Sequence, residues 1–184
     1  MKHNKKITVI ILAMFLIAQF IGLYVVGTYA TEKIVGGEVV NNTGKALPYG
    51  MSFDAQEERI DLLSLLVSFL FSLIIAISLI FFLVKLNARF ILRTWFFAVT
   101  ILALGISFTA FLPEIKYASL IGLAFAIPLA VFKIYKRNFW VHNLTELLIY
   151  PGIAAVFVQI LNLTTVIILL LLISIYDMWA VWKS

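Results

Sequence analysis

The stretch TTVIILLLLISIYDMWAVW, residues 164–182, decides the fold class of this chain. About 20 apolar residues in a helix cross the roughly 30 Å hydrocarbon core of a bilayer, and this stretch has that length and composition. A single carboxylate, Asp177, interrupts it. An ionised acid in the centre of a membrane helix costs about 2.5–3.5 kcal/mol on insertion scales, so an acid at this place is a functional candidate.

The composition extends this interpretation to the whole chain. Hydrophobic residues make up 64% of the 184 residues and charged residues 12%, whereas soluble domains average about a half and a quarter. Short alternating segments, which are typical of a membrane β-barrel, do not appear. We therefore predict an all-α, polytopic membrane helix bundle that forms a single membrane domain over residues 1–184. Its six transmembrane helices are expected at about 7–30, 61–84, 91–112, 115–134, 141–160 and 164–182.

The charges between the spans predict their orientation. One set of span ends is basic and contains no acid: Lys2, Lys5, Lys6, Lys85, Arg89, Arg93, Lys133, Lys136, Arg137 and Lys183. The opposite connections hold most of the acids: Glu32, Glu38, Asp54, Glu57, Glu58, Asp61 and Glu114. The positive-inside rule places the N-terminus and the C-terminus in the cytoplasm. We expect a multi-pass protein of the cytoplasmic membrane, and the net charge of +5 is no sign of a nucleic-acid partner.

Residues 31–60 form the one sizeable external segment. Gly36-Gly37, Gly44, Pro48 and Gly50 are turn formers, which predicts an irregular or partly ordered loop. The triplet Asn41-Asn42-Thr43 is a glycosylation sequon whose use depends on the organism. The basic start of the chain also fits a secretory signal peptide, but the first apolar stretch is too long for a signal core of about 7–15 residues, so we expect an uncleaved anchor.

Residue types exclude several kinds of chemistry. The chain has no cysteine, which excludes disulfides and thiol catalysis. Its two histidines, His3 and His142, are far apart in sequence, so a histidine-based metal site has no support. We expect neither a metal nor an organic cofactor.

Only two acids, Glu146 and Asp177, fall inside the predicted spans, at nearly the same depth on the cytoplasmic side. Asn143, Glu146 and Tyr150 recur at helical spacing and form one polar stripe. Our hypothesis is that the stripe lines a water-accessible pocket close to Asp177. Alternatively, Glu146 pairs with His142 one turn earlier, or snorkels toward the interface.

Two helix breakers and one amide also lie in apolar surroundings. Pro128 and Pro151-Gly152 could kink their helices and leave carbonyls for water or a substrate, although both residue types are common in ordinary membrane helices. Gln19 in the first span is expected to form an interhelical hydrogen bond without taking part in chemistry.

Two stretches of the sequence carry a family resemblance. SIYDMWAVWKS, residues 174–184, resembles the YD motif of presenilin-type intramembrane aspartyl proteases, especially their archaeal homologues. HNLTELLIYPGIAAVFV, residues 142–158, is similar to the preceding helix of that family. The six spans, the cytoplasmic N-terminus and the long first external loop also resemble the first six helices of these enzymes.

This resemblance implies a catalytic role for Asp177 as the first aspartate of a pair, with Tyr176 as its supporting neighbour. In the family the second aspartate belongs to a GxGD motif on a seventh helix, and a PAL motif lies on a ninth; neither motif occurs in these 184 residues. The chain thus resembles the N-terminal part of such an enzyme, without its C-terminal catalytic half. The implied partners are that half, the bilayer, and a substrate that is a transmembrane helix or a signal peptide.

The resemblance also implies that this chain alone is inactive. An aspartic protease needs two carboxylates that share one proton, because one takes a proton from water while the other donates one to the substrate carbonyl. Two other functions stay open on the residues alone. One is a small proton-coupled transporter that uses Asp177 and Glu146 as proton sites, and the other is a membrane scaffold without chemistry.

Overall fold

The computed structural model describes residues 5–41, 44–51, 62–136, 138–161 and 163–183. In chain order the elements are α1 (Lys5–Tyr29), β1 (Glu32–Val35), β2 (Glu38–Asn41), α2 (Leu62–Lys85), α3 (Arg89–Phe111), α4 (Ala118–Tyr135), α5 (Phe139–Ile160) and α6 (Leu163–Lys183). The predicted class, a bundle of six helices, is confirmed. Several residues named above lie outside the described residues: Lys2, His3, Asn42, Thr43, Asp54, Glu57, Glu58, Asp61 and Arg137.

Five of these helices are long and apolar enough to cross a membrane: α1, α3, α4, α5 and α6. In α2 the apolar segment found among the described residues is Leu70–Lys85. Most large apolar side chains of the bundle point outward and are exposed, which is the pattern of a protein whose solvent is lipid. The protein is an integral, multi-pass membrane protein.

Helix α3 is the centre of the bundle. It packs on α4 and α5, and α1 packs on α5 and on α3. By contrast, α2 has its main contact with α3, and the main neighbour of α6 is α2. The packed unit therefore consists of α1, α3, α4 and α5, while α2 and α6 lie at its periphery.

Small residues bring α3 and α5 into close contact. Gly152 of α5 lies directly against the backbone of Ala103, because a Cβ built at Gly152 would collide with the Ala103 carbonyl. Ser107 of α3 donates a hydrogen bond to the Leu148 carbonyl of α5 at 2.5 Å. Close backbone approach at small residues, assisted by side-chain hydrogen bonds, is how membrane helices associate in the absence of a hydrophobic driving force.

The prolines do not interrupt their helices. Both α4 and α5 continue through Pro128 and Pro151. Since proline has no N–H, Pro151 leaves the Leu147 carbonyl without its intrahelical donor. Pro151 and Gly152 are both buried. Gly152 serves the packing of α5 against α3, because it lies against the Ala103 backbone.

Residues 44–51 close one end of the packed unit. The backbone N–H of Lys45 donates to the Thr28 carbonyl at 2.9 Å, near the end of α1. Its ammonium group donates to the carbonyls of Thr109 at 2.9 Å and Leu112 at 3.1 Å, at the end of α3. Helix ends carry carbonyls without an intrahelical partner, and a cation there also complements the helix dipole. Lys45 therefore provides hydrogen-bond donors to carbonyl groups at the ends of both α1 and α3.

Two side chains extend this network across the same end. The Tyr29 hydroxyl donates to the Ile106 carbonyl at 2.9 Å, and the Gln159 amide donates to the Tyr29 carbonyl at 3.3 Å. Gln159 lies near the end of α5 and Tyr29 at the end of α1, so α1 and α5 run parallel and finish together.

Tyr49 inserts between α3 and α4. Its hydroxyl donates to the Ser119 carbonyl at 3.3 Å, and its ring lies where a side chain at Gly105 would be. Burial raises the pKa of the Tyr49 hydroxyl above its usual value. Its φ of 66° is a conformation rarely adopted by a residue with a bulky side chain, so the packing of the ring compensates for local backbone strain.

Part of the external segment is ordered, in line with the partly ordered alternative of the prediction. The strands β1 and β2 form an antiparallel hairpin with Val35 opposite Glu38. Gly36 and Gly37 have φ values of 64° and 91°, as the favoured two-residue hairpin turns require. The turn formers were recognised in the sequence, but the pairing of the short strands around them was not.

We predict that Gly152→Ala destabilises the bundle. The added methyl group would meet the Ala103 backbone, and overpacking of this kind typically costs about 1–3 kcal/mol. The measurement is thermal unfolding of the purified protein in detergent, followed by helical circular dichroism. Gly27→Ala is the matched control, because a Cβ at Gly27 meets no atom within 4 Å. Equal unfolding temperatures for the two variants would contradict the close contact between α3 and α5.

Candidate functional site

Asp177 lies on α6 and its side chain is exposed. Among the residues that the structure describes, its carboxylate forms no hydrogen bond or ion pair. Tyr176 is 63% exposed, and its ring centre lies 6.3 Å from that of Trp179. The YD pair therefore lies on a peripheral helix, on a surface that the packed unit does not cover.

Glu146 has a different environment. Its Oε1 atom accepts a hydrogen bond from the Lys133 ammonium at 2.5 Å, and this ion pair joins α4 to α5. His142 Nε2 lies 3.6 Å from the same oxygen. The Lys133 and Glu146 side chains are only 13% and 28% exposed. Charges within a membrane span are expected to pair in this way, and the pairing keeps the local charge near zero.

The predicted polar stripe lines a cavity of about 470 Å³. Asn143, Glu146 and Tyr150 contribute from α5, and Gln19 contributes from α1. Within the described part of the chain, α6 contributes no residue to the lining. The three residues of the stripe therefore line one cavity, which lies between α1 and α5. Asp177 on α6 is not part of the lining of this cavity.

The contacts of Glu146 differ from the pairing considered from the sequence. The alternative of pairing with His142 corresponds to the 3.6 Å contact, but the nearer partner is Lys133. Sequence reasoning had assigned Lys133 to the connection after the fourth span. A usable signal was present, because Lys133 falls within the predicted span 115–134, and a basic residue inside a span calls for an acidic partner at similar depth.

The described residues contain no group of three or more His, Asp or Glu side chains that could hold a metal ion. The chemistry available at Asp177 is that of a carboxyl group, which can take up or donate a proton. A single carboxyl group cannot both accept a proton from water and donate one to a carbonyl in the same step. The exposed surface of α6 leaves this group accessible to a second acid.

Comparison with known proteins identifies a family. The family model described as "Signal-peptide peptidase, presenilin aspartyl protease" matches residues 46–184. This range contains α2 to α6 and includes Asp177, the Glu146 ion pair and the tight contact between α3 and α5. No curated protein and no solved structure matches the chain significantly.

We predict that Lys133 and Glu146 are energetically coupled, so that loss of one residue destabilises the protein more than loss of both. Lys133→Met should lower the free energy of unfolding by about 1–3 kcal/mol, because it leaves the partly buried Glu146 carboxylate without its ion-pair partner. Glu146→Leu should act similarly, and the double variant should recover most of the loss. Unfolding in detergent at neutral pH measures all three variants. Additive losses in the double variant would show that the two residues are not coupled.

Proposed function

The chain belongs to the signal-peptide peptidase and presenilin aspartyl protease family, and we propose that Asp177 is one of the two catalytic aspartates of an intramembrane endopeptidase. The observation that carries the proposal is the Tyr176-Asp177 pair on the sixth helix of a chain whose residues 46–184 match this family. A family of membrane-embedded proteases acts on substrates that span the bilayer. We propose transmembrane helices or signal peptides as the substrates of this protein.

The chemistry assigns complementary roles to the two carboxyl groups. An ionised carboxylate takes a proton from water, and the resulting hydroxide equivalent attacks the carbonyl carbon of the scissile peptide bond. The protonated carboxyl group meanwhile donates its proton to the carbonyl oxygen, and later proton transfer to the amide nitrogen releases the new amine. Closeness of the two acids keeps one proton between them. Asp177 supplies one member, and a GxGD segment outside these 184 residues supplies the other.

The position of Asp177 suits a reaction on a membrane helix. Its side chain is exposed on α6, whose main neighbour is α2, so a substrate and a second acid can approach it from the side of the bundle. Tyr176 supports the site as the neighbouring residue. Cleavage also requires local unwinding of the substrate, because a helical peptide bond is shielded by its own hydrogen bonds. Neither carboxyl group needs a metal or an organic cofactor for these steps.

The contacts of Glu146 favour the protease over the carrier. A proton-coupled carrier would use Glu146 and Asp177 together, but the Glu146 carboxylate is held by Lys133 at 2.5 Å. Since the carboxylate is paired with an ammonium group, it is poorly suited to bind and release protons during transport. We further propose, from the charges between the spans, that both termini are cytoplasmic and that the protein resides in the cytoplasmic membrane.

We predict that Asp177→Asn abolishes cleavage. In a protein that joins this chain to a GxGD segment, the rate of cleavage of a membrane-spanning substrate should fall by at least about 100-fold, since an amide cannot exchange the proton. Mass spectrometry of the peptide products provides the measurement. Glu114→Gln is the matched control, because it neutralises an exposed carboxylate in the turn before α4 and should leave the rate unchanged. Retained cleavage in Asp177→Asn would overturn the proposed role.

We also predict that the 184-residue chain by itself does not cleave such a substrate, because Asp177 then lacks the second acid. Addition of a separately expressed segment that carries a GxGD motif should restore cleavage. The assay uses the purified chain in lipid vesicles with the same substrate. Cleavage by the chain alone that disappears with Asp177→Asn would mean that the second proton donor lies within these residues.

A further inference from the structure

The cavity between α1 and α5 is separate from the proposed catalytic residue and has its own chemistry. Apolar and small side chains form most of its wall: Met14, Phe15, Ala18, Gly22, Leu147 and Ala154. The cavity is open, and Phe15 and Tyr150 in its wall are 57% and 66% exposed. Both helices are long and apolar enough to cross a membrane, so the hydrocarbon of the bilayer has access to an opening between them.

The dimensions of the cavity match one leaflet. Trp140 begins the apolar span of α5 and is 79% exposed, as expected of an indole at the membrane interface. Asn143 lies less than one helical turn beyond Trp140. This position corresponds to the level of the glycerol oxygens, at the boundary between headgroups and hydrocarbon. The rise from Asn143 to Ala154 is roughly 16 Å at 1.5 Å per residue, and half of a hydrocarbon core of about 30 Å is close to that length.

The charge at the mouth of the cavity favours an anionic headgroup. Lys136 is exposed and precedes α5 by three residues. His142 is exposed in the first turn of α5, and its Nε2 atom lies 3.6 Å from the Glu146 carboxylate. The acid in the wall, Glu146, is neutralised by Lys133. Among the described residues beside the mouth, the unpaired charge that remains is the Lys136 ammonium group, so the mouth has a positive balance at the depth of lipid phosphates.

We propose that this cavity binds one membrane glycerophospholipid with an anionic headgroup. One chain of the lipid occupies the space between α1 and α5. The Asn143 amide donates a hydrogen bond to an oxygen of the glycerol backbone, and the phosphate lies beside the basic residues at the mouth. This lipid covers the polar stripe and fills the volume that the two helices leave open. The inference does not rest on the proposed protease activity.

A substitution that fills the cavity without disturbing the packing tests the proposal. Gly22 lines the cavity, and a Cβ built there meets no atom within 4 Å, so the side chain of Gly22→Leu begins in open space. The matched control is Gly27→Leu, which adds the same side chain to the same helix at a glycine that also has open space around it and does not line the cavity. Circular dichroism verifies that both variants remain helical.

The measurement is native mass spectrometry of the 184-residue protein released from nanodiscs of equal parts phosphatidylglycerol and phosphatidylcholine. The wild-type protein and Gly27→Leu should retain one phosphatidylglycerol molecule. Gly22→Leu should lower this retention about tenfold, the equivalent of losing contact with roughly two methylene groups of the chain. Asn143→Leu should also weaken retention, because it removes the donor to the glycerol oxygen.

Three results would overturn the proposal. Undiminished retention in Gly22→Leu would show that the lipid binds elsewhere. Equal retention of phosphatidylcholine would contradict the preference for an anionic headgroup. A dimer that forms in the wild-type protein and is lost in Gly22→Leu would assign the cavity to a second copy of the chain. None of these results depends on catalysis, since the assay contains no substrate.

Discussion

The high cost of charge in hydrocarbon governs the structure of this protein. An ionised side chain in the middle of a membrane helix is costly unless it is paired or reaches water. The charges accordingly gather at the ends of the helices, and the Lys133 ammonium within α4 is paired with the Glu146 carboxylate of α5. The same constraint applies to the backbone: Lys45 bonds carbonyls at the ends of α1 and α3. Polar contacts thus connect the helices that form the packed unit.

Steric fit determines which helices meet. Lipid surrounds the bundle, so an apolar helix face gives no information about whether it faces lipid or protein. The close contacts form where side chains are small, at Gly152 against Ala103 and at Gly105 beside the ring of Tyr49. These contacts order α3, α4 and α5 around each other, whereas α2 and α6 have few described neighbours. The consequence for function is that Asp177 lies on a helix whose position the packed unit does not fix.

The two intramembrane acids have different roles because their surroundings differ. Glu146 lies in the packed unit, where a cation on the next helix neutralises it. Asp177 lies at the exposed periphery without a partner among the described residues, so it remains accessible to a second carboxyl group. The sequence predicts nearly the same depth for both acids. The helices on which they lie distinguish the structural acid, Glu146, from the candidate catalytic acid, Asp177. The polar stripe that includes Glu146 contributes to a cavity with properties suited to a lipid.

The sequence by itself determined the membrane environment, the six helices, the two acids within them and the YD pair that led to the family, because these depend on local composition and spacing. Tertiary structure alone decided that Lys133 pairs with Glu146, that Asn143 and Tyr150 face Gln19 across a cavity, and that this cavity excludes α6. It also decided that residues 32–41 pair as a hairpin. Such features depend on which helix faces or strands come together over long separations in sequence. Helical periodicity does not encode that choice in a membrane, where lipid and protein offer an apolar side chain nearly the same environment.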